Sequence, residues 1–117
     1  MLVLCGSQGS RSIYTALAEQ LDQLTDFEFI VGLGTQNTEL AKAFAPFSNV
    51  RAERWINQGQ LSFLYRETDI VLSRGSITTL AEAAAFGAKI IAIPLPIAAF
   101  DHQRANVRAY EALGYVK

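Results

Sequence analysis

Short runs of aliphatic and β-branched residues alternate with longer stretches in which apolar positions return every three or four residues, and this alternation runs the length of the chain. The short runs, bounded by Gly, Asp, Asn or Pro, read as buried strands at residues 2–5, 27–31, 50–54, 70–73 and 90–93. Between them the helical period predicts helices over residues 10–24, 38–44, 61–66, 79–86 and 102–113. In the first of these, Ile13, Leu17, Leu21 and Leu24 share one apolar face. The last two close at Gly87 and Gly114, placed as C-terminal caps. Strands and helices that alternate in this way build βαβ units. The fold class is therefore α/β: a Rossmann-like parallel sheet of about five strands with helices on both faces.

Residues 1–117 are read as one compact domain with one sheet, since no internal repeat or low-complexity linker divides them. An apolar share of 50% against 18% charged residues is a globular balance, which removes disorder from the picture. The formal charge of -1 gives no basic excess, so binding to nucleic acid by phosphate neutralisation is not expected. Cys5, the single cysteine, makes no internal disulfide and supplies no thiolate cluster, which fits a reducing, cytoplasmic compartment. The longest apolar stretch, residues 90–100, covers about half a membrane span and is broken by Pro94 and Pro96, so no transmembrane helix is expected. Met1 runs into strand-like residues without a charged leader, and the chain closes as Tyr115 and Val116 begin another strand-like run. Such ends fit either a fragment of a longer protein or a subunit that pairs with a second chain.

Candidate chemistry sits where strands hand over to helices. Gly6-Ser7-Gln8-Gly9-Ser10 follows the first strand, and a glycine loop there lets backbone approach an anion facing the amides of the next helix. Neither a Walker lysine nor a full dinucleotide fingerprint is present, so an ordinary serine-capped turn stays open as the alternative. Ser73-Arg74-Gly75-Ser76-Ile77-Thr78-Thr79 repeats the arrangement after the fourth strand. In a doubly wound sheet the first and fourth strands are neighbours at the switch point, so both loops can face one diphosphate.

Glu82 has two readings, a carboxylate for ribose hydroxyls or the far end of a Thr79-Leu80-Ala81-Glu82 capping box. Arg74 either meets phosphate or pairs with Asp69. After the fifth strand, Pro94 and Pro96 stiffen a loop that leads to Asp101, a natural N-cap. Gln103 and Asn106 then share a face, as sugar-binding amides or as a solvated first turn. His102 has no catalytic partner pattern. Gly32-Leu33-Gly34 reads as a loop. Trp55 and Ile56 either wall a base or, for Trp55, fill core.

Taken in order, Leu4-Cys5-Gly6-Ser7-Gln8-Gly9-Ser10, Trp55-Ile56, Thr68-Asp69-Ile70-Val71, Ser73-Arg74-Gly75-Ser76 with Thr79 and Glu82, Pro94-Leu95-Pro96 and Asp101-His102-Gln103-Arg104-Ala105-Asn106 form a specific series. The chain resembles, over nearly its whole length, the C-terminal domain of MurG-like N-acetylglucosaminyltransferases of the GT-B fold, glycosyltransferase family 28. The resemblance implies a donor site for UDP-N-acetylglucosamine, with inverting transfer to a lipid-linked peptidoglycan precursor at the inner face of the cytoplasmic membrane. It also implies an N-terminal acceptor domain, or a partner subunit, that supplies the base and acceptor groove. This chain alone is then expected to bind donor with little or no turnover. No cofactor and no metal are expected.

Carried over residue by residue, Gly6, Ser7, Gln8 and Gly9 would contact phosphate and the main chain of Ile56 would read uracil. The Thr79 amide would assist phosphate, Glu82 would bind ribose and Gln103 the sugar hydroxyls. Arg74, Ser76, Thr78 and Asn106 complete the expected donor-binding set. Two departures stand out: Cys5 where the family commonly has glycine, and Ile77 in a loop of smaller residues, both of which would crowd the phosphates. Missing C-terminal elements of the family would leave an exposed sheet edge. Rival readings are the donor-binding subunit of a heteromeric transferase, half of a UDP-sugar epimerase, and a nicotinamide-dependent oxidoreductase. The last lacks a third loop glycine and an acidic end to the second strand.

Overall fold

The computed structural model describes residues 1–97 and 101–116. The five expected strands form: β1 (Leu2–Leu4), β2 (Phe29–Gly32), β3 (Val50–Glu53), β4 (Ile70–Ser73) and β5 (Lys89–Ala92). They make one parallel sheet in the order β3-β2-β1-β4-β5. β1 is central, with Leu2 paired to Ile30 on one side and to Val71 on the other. The chain thus winds outward in both directions from β1, which puts the switch point between β1 and β4.

Alternation along the strands divides the core into two layers. Val3, Phe29 and Val31 point to the face covered by α1 (Arg11–Gln20), which runs into a 3-10 turn at Leu21–Gln23, and by α2 (Ala41–Phe44), which follows a 3-10 turn at Thr38–Leu40. Leu2, Val71 and Ile90 point to the other face, under α3 (Gln58–Arg66) and α4 (Ile77–Ala85), with α5 (Asp101–Ala112) contributing Val107 and Tyr110. Tyr14, Tyr65, Phe29 and Phe44 are the largest side chains fully withdrawn from water. Burial of each such side chain stabilises the fold by about 1.5–3 kcal/mol.

Several boundaries differ from those expected, each for a local reason. β2 starts at Phe29 rather than Phe27 because the Asn49 amide donates to the Phe27 carbonyl at 2.8 Å and to the Leu24 carbonyl at 3.3 Å, holding that segment in a turn. α3 begins one turn earlier than the apolar period suggests, since Asn57 and Gln60 close a reciprocal capping box (Gln60 N to Asn57 Oδ1, 2.9 Å; Asn57 N to Gln60 Oε1, 3.1 Å). α4 also begins early. Its N-cap is Ser76, whose Oγ accepts from the Thr79 amide at 3.3 Å, so of the two readings of Glu82 the Thr79–Glu82 capping box does not form. Asp101 is the first residue of α5 rather than its cap.

Gly87 and Gly114 do cap their helices. Each is followed by a residue whose amide bonds back into the last turn: Ala88 to the Ala83 carbonyl at 3.0 Å, and Tyr115 to the Tyr110 carbonyl at 3.0 Å. Val116 makes a single parallel bridge to Ile90, matching the strand-like run read at the C-terminal end. Among the described residues no helix is long and apolar enough to cross a membrane. The last part of the apolar stretch 90–100, residues 98–100, lies outside the described residues.

Candidate functional site

A cleft of about 380 Å³ opens over the carboxyl ends of the strands, a volume in the usual range for small-molecule sites. Its floor is Leu4, Cys5 and Gly32 at the ends of β1 and β2. One wall is the loop after β1, with Gly6 and Ser7. The segment after β3 brings Trp55 and Ile56, α3 brings Gln58, Leu61 and Tyr65, and α4 brings Thr78, Thr79 and Glu82. Of the twelve residues expected in the site, the cleft gathers Gly6, Ser7, Ile56, Thr78, Thr79 and Glu82.

The loop after β1 is held in place from below. Gly9 has φ +77°, and a Cβ there would collide with the Leu33 carbonyl oxygen and lie 2.7 Å from Asn37 Nδ2. The Gly9 amide turns back to the Gly6 carbonyl at 3.1 Å, the Thr35 amide donates to the Ser7 carbonyl at 2.9 Å, and Asn37 Nδ2 donates to the Gln8 carbonyl at 2.6 Å. Gln8 and Gly9 are therefore scaffold for Gly6 and Ser7, and neither lines the cleft. Asn37, which stands where a dinucleotide fingerprint would place its third glycine, is a buried polar side chain committed to this task.

Ser10 occupies the N-cap of α1 without a side-chain cap bond, so the serine-capped turn considered from the sequence is not what forms. Its Oγ accepts instead from Arg74 Nη1 at 3.3 Å, joining the two glycine-rich loops. The first amides of an α-helix lack intrahelical partners. The opening turn of α1 thus keeps donors uncapped by Ser10. Arg74 makes no ion pair with Asp69, and its Nε is buried with no hydrogen-bond partner among the described residues.

α5 is tied to the same region. Asn106 Nδ2 donates to the Gly75 carbonyl at 3.3 Å, and the Leu95 amide donates to Gln103 Oε1 at 3.0 Å. A Cβ on Gly75 would lie 2.5 Å from Val107 Cγ2, so glycine is what lets α5 close on this loop. Gln103 and Asn106 stand outside the cleft, and so do Arg74 and Ser76.

Electrostatics separate the floor from the wall. Burial pushes the Cys5 thiol up from 9.0 to about 11, and burial holds the Tyr14 phenol above its ordinary range, so both stay neutral beneath the loop. Burial together with the neighbouring Glu82 carboxylate does the same for Tyr65. Glu82 Oε1 accepts from Gln58 Nε2 at 3.1 Å.

The complete chain, residues 1–117, matches the model of the glycosyltransferase family 28 C-terminal domain. The chain belongs to that family. Two curated relatives are named UDP-N-acetylglucosamine--N-acetylmuramyl-(pentapeptide) pyrophosphoryl-undecaprenol N-acetylglucosamine transferase. The one from Desulfotalea psychrophila is 32% identical over 94% of this chain and 31% of its own length. The one from Xylella fastidiosa (strain Temecula1) is 36% identical over 97% of this chain and 32% of its own. The chain thus spans about a third of the length of the curated relatives it matches. A crystal structure of Acinetobacter baumannii MurG superimposes with a TM-score of 0.83 at 28% identity, over 99% of this chain and 34% of that one. A glycosyltransferase of kitacinnamycin shares the fold, with a TM-score of 0.77 at 21% identity, over 99% of this chain and 28% of that one.

The structure places four further residues of the sequence reading, Ile77, Cys5, Trp55 and Thr79. Ile77, one of the two expected departures from the family pattern, is 54% exposed at the start of α4 and does not line the cleft. Cys5, the other, does line the floor. Trp55 is 61% exposed on the cleft wall, which overturns the core reading: Ile56, not the indole, packs against the apolar cluster. The Thr79 amide, expected to assist phosphate, donates to Ser76 Oγ at 3.3 Å. Gln58 and Tyr65 went unnoticed in the sequence, where Tyr65 is one apolar position in a helical period and Gln58 lies before the expected helix start.

Proposed function

We propose that this chain is the donor-binding domain of an inverting hexosyltransferase, which moves N-acetylglucosamine from UDP-N-acetylglucosamine to a lipid-linked peptidoglycan precursor. The observation that carries the reading is the convergence of Ser7, Ile56, Thr79 and Glu82 on one cleft, from three separate segments, in a chain of this family. The transferase names of the relatives favour it over the epimerase reading.

In this reading the main chain of Ile56 meets uracil edge-on while Trp55 offers an apolar wall. Glu82 accepts from the ribose hydroxyls. The diphosphate lies between the starts of α1 and α4, where amides and the helix dipoles favour negative charge. When the acceptor hydroxyl attacks the anomeric carbon from the opposite face, the bond to the β-phosphate oxygen breaks and configuration inverts. The charge left on the UDP is met by donors already in place, a role that needs no metal. Arg74 adds positive charge beside the α1 N-cap, and Gln103 keeps its NH2 group for a sugar hydroxyl while its oxygen holds Leu95. The base and the acceptor groove belong to an N-terminal domain or a partner subunit, which brings the assembly to the inner face of the cytoplasmic membrane.

Calorimetric titration tests this with UDP-N-acetylglucosamine, UDP and NAD against the chain and its Glu82→Ala variant. Both uridine ligands are expected to bind and NAD not to, with the variant weakened about tenfold or more for UDP. A folded chain that prefers NAD, or binds UDP equally well without the carboxylate, would defeat the reading.

A further inference from the structure

Backbone hydrogen bonds in the loop after β1 are divided unevenly between carbonyls and amides. The Gly6 carbonyl accepts from the Gly9 amide at 3.1 Å. The Ser7 carbonyl accepts from the Thr35 amide at 2.9 Å and from Thr35 Oγ1 at 3.4 Å, and the Gln8 carbonyl accepts from Asn37 Nδ2 at 2.6 Å. The Ser7 and Gln8 amides, by contrast, donate to no protein acceptor among the described residues. A trans peptide is planar, with its C=O and N–H on opposite sides. Tying back the Gly6 and Ser7 carbonyls therefore turns the Ser7 and Gln8 N–H groups away from those partners, and successive free amides of this kind make an anion-binding concavity.

Two of these three ties come from the loop after β2. Asn37 is 5% exposed, and its Nδ2 also reaches the Leu33 carbonyl at 3.4 Å, so one side-chain amide bridges the two loops. The loops meet backbone against backbone: a Cβ on Gly34 would lie 2.6 Å from the Gly9 nitrogen and 2.7 Å from the Ser7 carbonyl oxygen. Released from Asn37, the Gln8 carbonyl must find another donor, and the peptide is free to rotate as it does so. A carbonyl oxygen turned toward a phosphate repels it.

We propose that Asn37 is a positioning residue for the diphosphate: by tying down the Gln8 carbonyl from the loop after β2, it keeps the Gly6–Ser10 loop presenting amides, not carbonyls, to an anion. This role rests on the donor-site reading above, and it assigns part of phosphate recognition to a side chain that does not line the cleft. Thr35 supports the same arrangement mainly through its main chain, which side-chain substitution leaves in place. Asn37 acts through a side chain that can be removed. The residues read as nucleoside contacts, Ile56 and Glu82, come from other segments, so a loss confined to the phosphates is separable from one that reaches the nucleoside.

The test titrates UDP and uridine against wild type and Asn37→Ala. Wild type should prefer UDP, and Asn37→Ala should lose about tenfold in UDP affinity while its affinity for uridine stays within about twofold. In amide-proton NMR spectra at saturating ligand, the Ser7 and Gln8 amides of wild type should shift downfield with UDP and not with uridine, and the variant should lose that shift. A general packing defect does not produce this selectivity. Should Asn37→Ala fail to fold, wild type decides alone: coupling is reciprocal, so UDP should slow exchange of the Asn37 side-chain NH2 protons where uridine does not. Equal weakening of both ligands, an unchanged affinity for UDP, or exchange that UDP does not slow overturns the positioning role while leaving the donor site intact. A wild type that binds UDP no better than uridine, or binds neither, overturns the donor-site reading and this role with it.

Discussion

Gly6 and Gly9 lie three residues apart in one loop, with φ +83° and +77°, but their surroundings are opposite. A Cβ on Gly6 meets nothing within 4 Å, whereas one on Gly9 collides with the Leu33 carbonyl. Gly6→Ala should cost only the left-handed backbone penalty, about 1 kcal/mol. Gly9→Ala adds overpacking against main chain that cannot yield, for a total of about 3 kcal/mol. Urea unfolding of the two variants checks this, and equal losses would mean the loop is not clamped on Leu33 and Asn37 as described. The sequence showed that both glycines belong to a turn but not which one faces the cleft, because the answer lies in Asn37 and Leu33, more than twenty residues away. Trp55 illustrates the same limit. A lone aromatic at a strand end reads as core from hydrophobicity alone, and only the neighbouring Ile56, which takes the buried position, leaves the indole on the cleft wall.

Among the elements, α3 separates what periodicity reveals from what it hides. Leu61, Leu64 and Tyr65 mark its apolar face, but its first turn contains Gln58, Gly59 and Gln60, and a helical glycine costs about 1 kcal/mol against alanine. The reciprocal bonds between Asn57 and Gln60 offset that cost and start the helix early. That early turn is what brings Gln58 to Glu82. Asn57→Ala should therefore lower stability by about 1 kcal/mol. It should also weaken UDP binding by frayed placement of Gln58, whereas Asn57→Ser, which retains an N-cap acceptor, should recover most of both. Unfolding midpoints and titrations on the pair decide it, and a variant that loses stability with unaltered affinity would separate the cap from the site. α4 shows the same effect at its start: Thr79 and Glu82 have capping-box spacing, one of the two readings of Glu82, yet Ser76 stands three residues upstream of Thr79 and captures its amide.

For the molecule as a whole, the parallel α/β sheet and the neighbouring of β1 and β4 were legible, because apolar runs separated by helices build βαβ units and the glycine-rich loops after β1 and β4 mark the carboxyl ends of a doubly wound sheet, whereas the full order β3-β2-β1-β4-β5 was not. Less legible was the buried polar layer beneath those ends, since Cys5, Tyr14 and Tyr65 look like ordinary core positions in the sequence. That layer has a consequence for global stability. Cys5 rises from 9.0 to about 11, and both tyrosines rise from 10.0, with burial the main cause each time. Each group is neutral when protonated, so the folded state holds these protons more tightly than the unfolded chain. Their contribution is complete below the unfolded values and is lost as pH climbs through the folded ones. Stability should therefore hold to about pH 9 and then fall, the thiol alone accounting for about 2 kcal/mol by about pH 11. Cys5→Ala removes that share, so urea unfolding of wild type and variant between about pH 8 and about pH 11 should show a stability difference that narrows in the variant's favour by this amount. Parallel curves across the interval would mean that the thiol already reaches water in the folded state, and with it that the floor of the cleft is open beneath Gly6.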